Sequence, residues 1–168
     1  SEEGKIESIW QKELHNRKIL LERVIGASAL FFCDQASVGN NRLTGGGNII
    51  ADFLLKHKLT RDIIIVEIKT PHTKILGKSY RNLYPLSQEI SGSISQVLNQ
   101  RTEFLKNFHQ KAYSLEDRLE AFSPRCIIIA GCAKKELDDE SKRKSFSLQI
   151  NAFRSNVELI TFDELYGQ

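Results

Sequence analysis

The segment Asp62-Ile63-Ile64-Ile65-Val66-Glu67-Ile68-Lys69-Thr70-Pro71 carries the strongest structural signal in the chain. Its β-branched apolar residues, four isoleucines and a valine, describe a strand buried on both faces in the middle of a sheet. Glu67 and Lys69 interrupt that run. Side chains alternate along a strand, so both project from the same face as Ile63 and Ile65, one pleat apart. Two readings of the pair are open. Either the strand end emerges into solvent and the charges form a mutual ion pair, or they belong to a site. The preceding segment bears on the second reading. Residues 48–55 form another apolar run broken by one acid, Asp52, and only a short polar connection over 56–61 follows it. Such spacing predicts an antiparallel hairpin. Asp52, Glu67 and Lys69 then converge on one patch of one sheet. That patch offers two carboxylates to a hard divalent cation, Mg²⁺ or Mn²⁺ rather than zinc, with an ammonium beside it.

Length and composition set the frame for this site. A chain of 168 residues with 40% hydrophobic content fits a single globular domain with a full-sized core. A net charge of +3 permits a nucleic-acid partner without requiring one. No apolar run approaches the roughly 20 residues that span a bilayer, and no signal-peptide pattern opens the chain, so a cytoplasmic protein without a membrane partner is expected. Cys33, Cys126 and Cys132 lack the paired spacing of a zinc or redox motif and read as reduced core residues. His15, His57, His72 and His109 are scattered and form no metal signature. Methionine is absent even at position 1, which suggests a piece of a longer polypeptide with further domains.

Towards the amino end, Ile6, Ile9, Trp10 and Leu14 recur at helical spacing and predict an amphipathic helix over residues 5–15, laid on the sheet. Glu13 falls among these apolar positions and Glu7 at their edge; surface exposure and a place at the metal patch are both open for each. Residues 30–33 read as the first strand, and the glycine-rich stretch 35–47 as a wide turn. That turn is no phosphate loop, because no Gly-Lys-Ser/Thr follows and a strand comes next.

Beyond the central strand, Lys74, Lys78 and Arg81 are interleaved with Tyr80 and Tyr84 between Pro71 and Pro85. The composition suits phosphate contact and base stacking, and equally a solvated loop. Ser87 is placed to cap a long helix over 88–110. Ile90, Ile94, Val97, Leu98, Phe104, Leu105 and Phe108 form its core stripe, with Arg101 among them snorkelling or paired to an acid. Glu89, Ser93, Gln96 and Gln100 line a polar edge beside the stripe. Residues 125–131 read as a second doubly buried strand, and the charged run 134–144 as a solvated face leading into a helix that ends near Phe153. Residues 157–160 read as a last strand, and Thr161-Phe162-Asp163-Glu164 as a capping box. The order helix, three strands, helix, strand, helix, strand predicts an α/β fold, a mixed sheet sandwiched by helices.

Asp52 followed by Glu67-Ile68-Lys69 resembles the core motif of the PD-(D/E)XK nucleases. Tyr80-Arg81-Asn82-Leu83-Tyr84-Pro85, Glu89-Ile90-Ser91-Gly92 and Gln96-Val97-Leu98-Asn99-Gln100-Arg101 resemble the nuclease domain of the Shedu family of bacterial anti-phage defence proteins. With residues 7–20 and 157–165 the similarity covers nearly the whole chain. Gln100 departs from it, standing where an aromatic is expected. The resemblance implies a restriction-endonuclease-like mixed β-sheet flanked by helices, one nuclease domain over 1–168 from the C-terminal part of a longer protein. It also implies a metal-dependent DNA endonuclease. Asp52 and Glu67, with the backbone carbonyl of Ile68, would hold one or two Mg²⁺ or Mn²⁺ ions. Lys69 would orient or deprotonate the attacking water and stabilise charge on the phosphorane, and Gln96 would support the water or the scissile phosphate. Position in related nucleases favours Glu7 as the first-helix acid. Lys74, Lys78 and Arg81 would contact DNA, and a homo-oligomer is the further expectation. The competing class is a catalytically silent nucleic-acid-binding, sensor or oligomerisation module of a larger defence protein.

Overall fold

The computed structural model describes residues 2–16, 18–26, 29–34, 51–111 and 119–167, so the glycine-rich turn expected over 35–47 lies outside it. The chain runs α1 (Glu2–Asn16), α2 (Lys18–Ile25), β1 (Ala29–Asp34), β2 (Phe53–His57), β3 (Asp62–Ile68) and α3 (Gln88–Lys111). It continues as β4 (Glu120–Ile129), α4 (Ala133–Glu136), α5 (Glu140–Phe153), β5 (Glu158–Ile160) and α6 (Phe162–Tyr166). The strands lie in the order β1-β2-β3-β4-β5, making a five-stranded sheet. β1, β2 and β3 form an antiparallel meander, while β4 and β5 continue parallel to β3. This is a mixed α/β sheet flanked by helices, consistent with the restriction-endonuclease-like expectation.

β3 is the centre of the sheet, and every residue from Ile63 to Ile68 in it is buried. Its alternation divides the core. Ile63 and Ile65 join Ile90, Val97 and Phe104 of α3 on one face. Ile64, Val66 and Ile68 meet Leu14, Leu21, Phe162 and Leu165 from α1, α2 and α6 on the other. In the apolar run before β3, residues 48–50 lie outside the described residues, and Ala51 and Asp52 precede the strand, which spans Phe53–His57. Its Phe53 pairs with Val66 and Leu54 with Ile65, so the hairpin is antiparallel as expected. The first helix extends over 2–16 and is followed by a second, α2, that was not anticipated; Leu21 and Ile25 give α2 its buried side. β4 begins at Glu120, five residues before the apolar run that announced it. Leu105, assigned to the core of α3, is 41% exposed, while Phe104 beside it is buried. The side chain of Phe108 lies outside the described residues.

Local chemistry fixes the ends of these elements. Ser87 Oγ accepts the Ile90 N–H at 3.1 Å, the expected cap of α3. The Glu164 carboxylate accepts the N–H and hydroxyl of Thr161 at 2.8 and 3.0 Å, closing the capping box of α6. The connection 70–86 is tied down rather than loose. Glu136 accepts the N–H groups of Ile75 and Leu76 at 2.8 and 2.7 Å, Ser145 Oγ that of Tyr84 at 3.0 Å. Tyr80 and Leu83 bond each other across a two-residue turn in which Arg81 and Asn82 both take positive φ, 50° and 63°. Among the described residues, no helix is long and apolar enough to cross a membrane.

Gly131, just after β4, packs where no side chain fits. Its φ is +67°, and a Cβ there would lie 2.6 Å from Ile75 Cγ1 and 2.8 Å from the Thr73 carbonyl oxygen. Its own N–H donates to the Thr70 carbonyl at 3.0 Å. Gly131→Ala combines left-handed strain with overpacking against backbone, and is expected to lower unfolding free energy by about 2–4 kcal/mol in urea titration. An unchanged midpoint would show that the connection 70–86 yields freely to a methyl group.

Candidate functional site

The hairpin register places Asp52, one residue before β2, opposite Glu67. Asp52 is 5% exposed and Glu67 2%. Buried carboxylates need donors, and each has them. Asp52 Oδ2 accepts the Ile68 N–H at 2.7 Å, and its Oδ1 accepts Gln11 Nε2 at 2.7 Å. Glu67 Oε1 accepts Gln96 Nε2 at 2.9 Å, and Oε2 accepts Gln100 Nε2 at 3.4 Å. Of the polar edge of α3, Gln96 and Gln100 therefore meet Glu67, a contact that the sequence reading did not specify. Gln100, at the position expected to be aromatic, is buried and supplies a hydrogen bond there rather than a ring.

Lys69 lies beside this pair, its Nζ 3.3 Å from Glu67 and 3.4 Å from Glu7. Glu7 comes from α1, and its carboxylate together with those of Asp52 and Glu67 offers three ligand atoms all within 4.8 Å of one another. These residues and Gln11 and Gln96 line one open cavity of about 390 Å³. Of the two first-helix acids left open by the sequence, Glu7 is the one brought to the patch. Gln11 was missed altogether. The signal was its position one helical turn after Glu7, which puts both on the same face of α1.

Three carboxylates surround one ammonium, an excess of two negative charges when all three acids are ionised. Burial, reinforced by Glu67, pushes the Asp52 carboxyl from the usual 3.8 up to about 7 against the opposing Ile68 N–H. Burial likewise raises Glu67, with Lys69 pulling the other way. Burial would lower the Lys69 ammonium, but Glu67 and Glu7 outweigh it and hold it above its ordinary value. A hard divalent cation matches this donor set: oxygen ligands only, and a charge equal to the excess.

The remaining basic residues lie elsewhere. Lys74, Lys78 and Arg81 are exposed and none lines the acid cavity. Arg81 sits at the tip of the tight turn with its guanidinium 5.3 Å from the Tyr80 ring centre. The expectation that the cysteines are core residues holds for Cys126, which is buried, and fails for Cys132, which is half-buried ahead of α4. Cys33's side chain lies outside the described residues.

A raised Asp52 pKa means the folded protein keeps its proton where the unfolded chain has lost it. The stability this contributes is complete below pH about 4 and is lost as pH rises through about 7. In chelator, the melting temperature should therefore fall between those values, and Asp52→Asn should flatten that fall. Equal slopes for the variant and the parent in thermal scans would remove Asp52 from this account.

Residues 4–166 match the family described as Shedu protein SduA, C-terminal. The chain is also 28% identical over 167 residues to the Shedu protein SduA of Bacillus cereus (strain B4264), an alignment covering 95% of this chain and 43% of that protein. It thus spans less than half the length of the curated relative it matches. Matched over almost its whole length, the chain belongs to the Shedu protein SduA C-terminal family.

Proposed function

We propose that the chain is the nuclease part of a longer anti-phage defence protein and hydrolyses DNA phosphodiesters with Mg²⁺ or Mn²⁺. The observation that carries this reading is the meeting of Glu7, Asp52 and Glu67 beside Lys69 in one open cavity. Family membership supports the defence context. Asp52, Glu67 and Glu7 would hold the cation, with the Ile68 carbonyl as a further ligand. Bound there, the ion supplies Lewis-acid charge to the phosphoryl oxygens and acidifies water.

The chain's own groups do the rest. Lys69 is held as an ammonium by two carboxylates, which suits it to donating hydrogen bonds rather than taking a proton at neutral pH. It orients the attacking water and stabilises negative charge growing on a nonbridging oxygen. Gln96 bonds Glu67 and reaches the cavity, so it fixes that carboxylate and meets the water or phosphate. Water adds to phosphorus and gives up a proton to solvent, the bond to the leaving sugar oxygen breaks, and that oxygen takes a proton from solvent, leaving a phosphate monoester and an alcohol.

Two substitutions test the reading. Asp52→Ala should remove divalent binding in calorimetry and cleavage of plasmid DNA together. Lys69→Met leaves the acids without their cation, so its melting temperature should drop in chelator and recover in Mg²⁺. Its single-turnover cleavage should still be lower by on the order of a hundredfold. A Lys69→Met protein that cuts as fast as the parent sinks this mechanism, and a parent that binds DNA without ever cutting it favours the silent module.

Lys74, Lys78 and Arg81 are proposed as phosphate contacts, supported by their exposure on the connection that leaves β3. Replacing any one with alanine should weaken DNA binding at every sequence and reduce the salt slope of binding by about one unit. An unchanged slope would make the residue ordinary surface.

A further inference from the structure

The carboxyl ends of β3, β4 and β5 all point to one edge of the sheet, and the residues just beyond them, Pro71, Cys132 and Asp163, line cavities there. In α/β sheets this edge is where ligands collect. Two cavities outside the acid site lie along it, of about 420 and 320 Å³, within the range of small-molecule sites. They share Pro71, Cys132 and Lys135. Lys135 therefore stands between them.

Their chemistries are complementary. The smaller cavity is walled by Trp10, Phe162 and Tyr166. Trp10 meets Phe162 edge-on at 5.1 Å, and Tyr166 stacks on Phe162 at 6.5 Å, so the wall is an ordered aromatic surface. The larger cavity carries His72, Lys74 and Lys135. Neither Lys74 nor Lys135 forms an ion pair among the described residues. The acids nearby have donors other than these two lysines. Glu136 accepts Ile75 and Leu76 N–H, Asp163 accepts those of Ala133 and Lys134 at 2.8 and 3.0 Å, and Asp138 pairs with Lys142 at 2.6 Å. Lys74 and Lys135 stand at one end, with the Glu136 carboxylate in the same cavity, and the aromatic surface stands at the other, with Asp163 beside it.

We infer that these two cavities form a nucleotide-binding groove distinct from the acid site, taking a base against Trp10 and Tyr166 and its phosphate at Lys135, Lys74 and His72. Bases stack on such rings whatever their identity, and a phosphate is the anion that accompanies them. The pairing of both features at one shared lysine is what separates a nucleotide from a plain apolar ligand or a plain anion. The nucleotide arrives either free or as one unit of a DNA strand.

Trp10 is the only tryptophan, so its fluorescence reports the groove directly. The protein is titrated in EDTA with dAMP and, separately, with a short single-stranded oligodeoxynucleotide. The groove predicts saturable quenching of Trp10 that Lys135→Ala weakens on the order of tenfold, while Lys144→Ala, whose lysine lines neither cavity, leaves it unchanged. Quenching by dAMP identifies a free nucleotide as a sufficient ligand; quenching by the oligonucleotide alone identifies a unit of the strand. No quenching by either, or quenching indifferent to Lys135→Ala, overturns the inference. Lys135 is exposed and its loss should not disturb folding, which a matching melting temperature verifies. Because the titration contains no divalent cation, its result stands apart from whether the acid site cleaves DNA.

Discussion

Two carboxylates, Asp52 and Glu67, are held facing each other inside the protein across the β2–β3 hairpin. Like charges in a poorly polarisable interior repel strongly, and each also loses its hydration. Much of the surrounding architecture answers that cost. The Ile68 N–H and Gln11 serve Asp52, Gln96 and Gln100 serve Glu67, and Lys69 lies between Glu67 and Glu7. Even so, burial leaves the Asp52 carboxyl near neutrality rather than fully acidic. A core that carries such a group at a cost to its own stability is organised for something other than stability.

The sheet explains how so many groups reach one point. β3 is the strand at which the antiparallel half of the sheet meets the parallel half. From the antiparallel side Asp52 arrives by register; from the helix layer, α3 presents Gln96 and Gln100 one turn apart. α1 packs against the opposite face through Leu14, and the same side of the helix, one and two turns earlier, reaches the end of β3 with Gln11 and Glu7. The connection 70–86 is fastened to the segment after β4 through Glu136 and the close approach at Gly131. That fastening keeps the basic side chains at the carboxyl edge on a fixed frame.

Much of this was legible in the chain. The period-two alternation through β3 placed Glu67 and Lys69 on the face of Ile63 and Ile65, and the short connection before it made the hairpin that opposes Asp52. The helical period after Ser87 put Gln96 on the side of α3 nearest that strand. These are relations between residues that are close in sequence or fixed by one register, so local stereochemistry suffices to determine them.

Other features depended on the folded chain. Glu7 meets Lys69 across 62 residues and Gln11 meets Asp52 across 41; helical spacing puts the two on one face of α1, and how α1 lies over the sheet decides what that face meets. The same holds for Lys135, read from sequence as part of a solvated charged run, which the β4–α4 connection carries round to the edge beside Lys74. Leu105 shows the converse: periodicity assigned it to the core, but it is exposed while Phe104 beside it is buried. Sequence period fixes which residues share a face of an element; only the packing of elements decides what that face meets, because the angle and extent of each contact come from side chains distant in the chain.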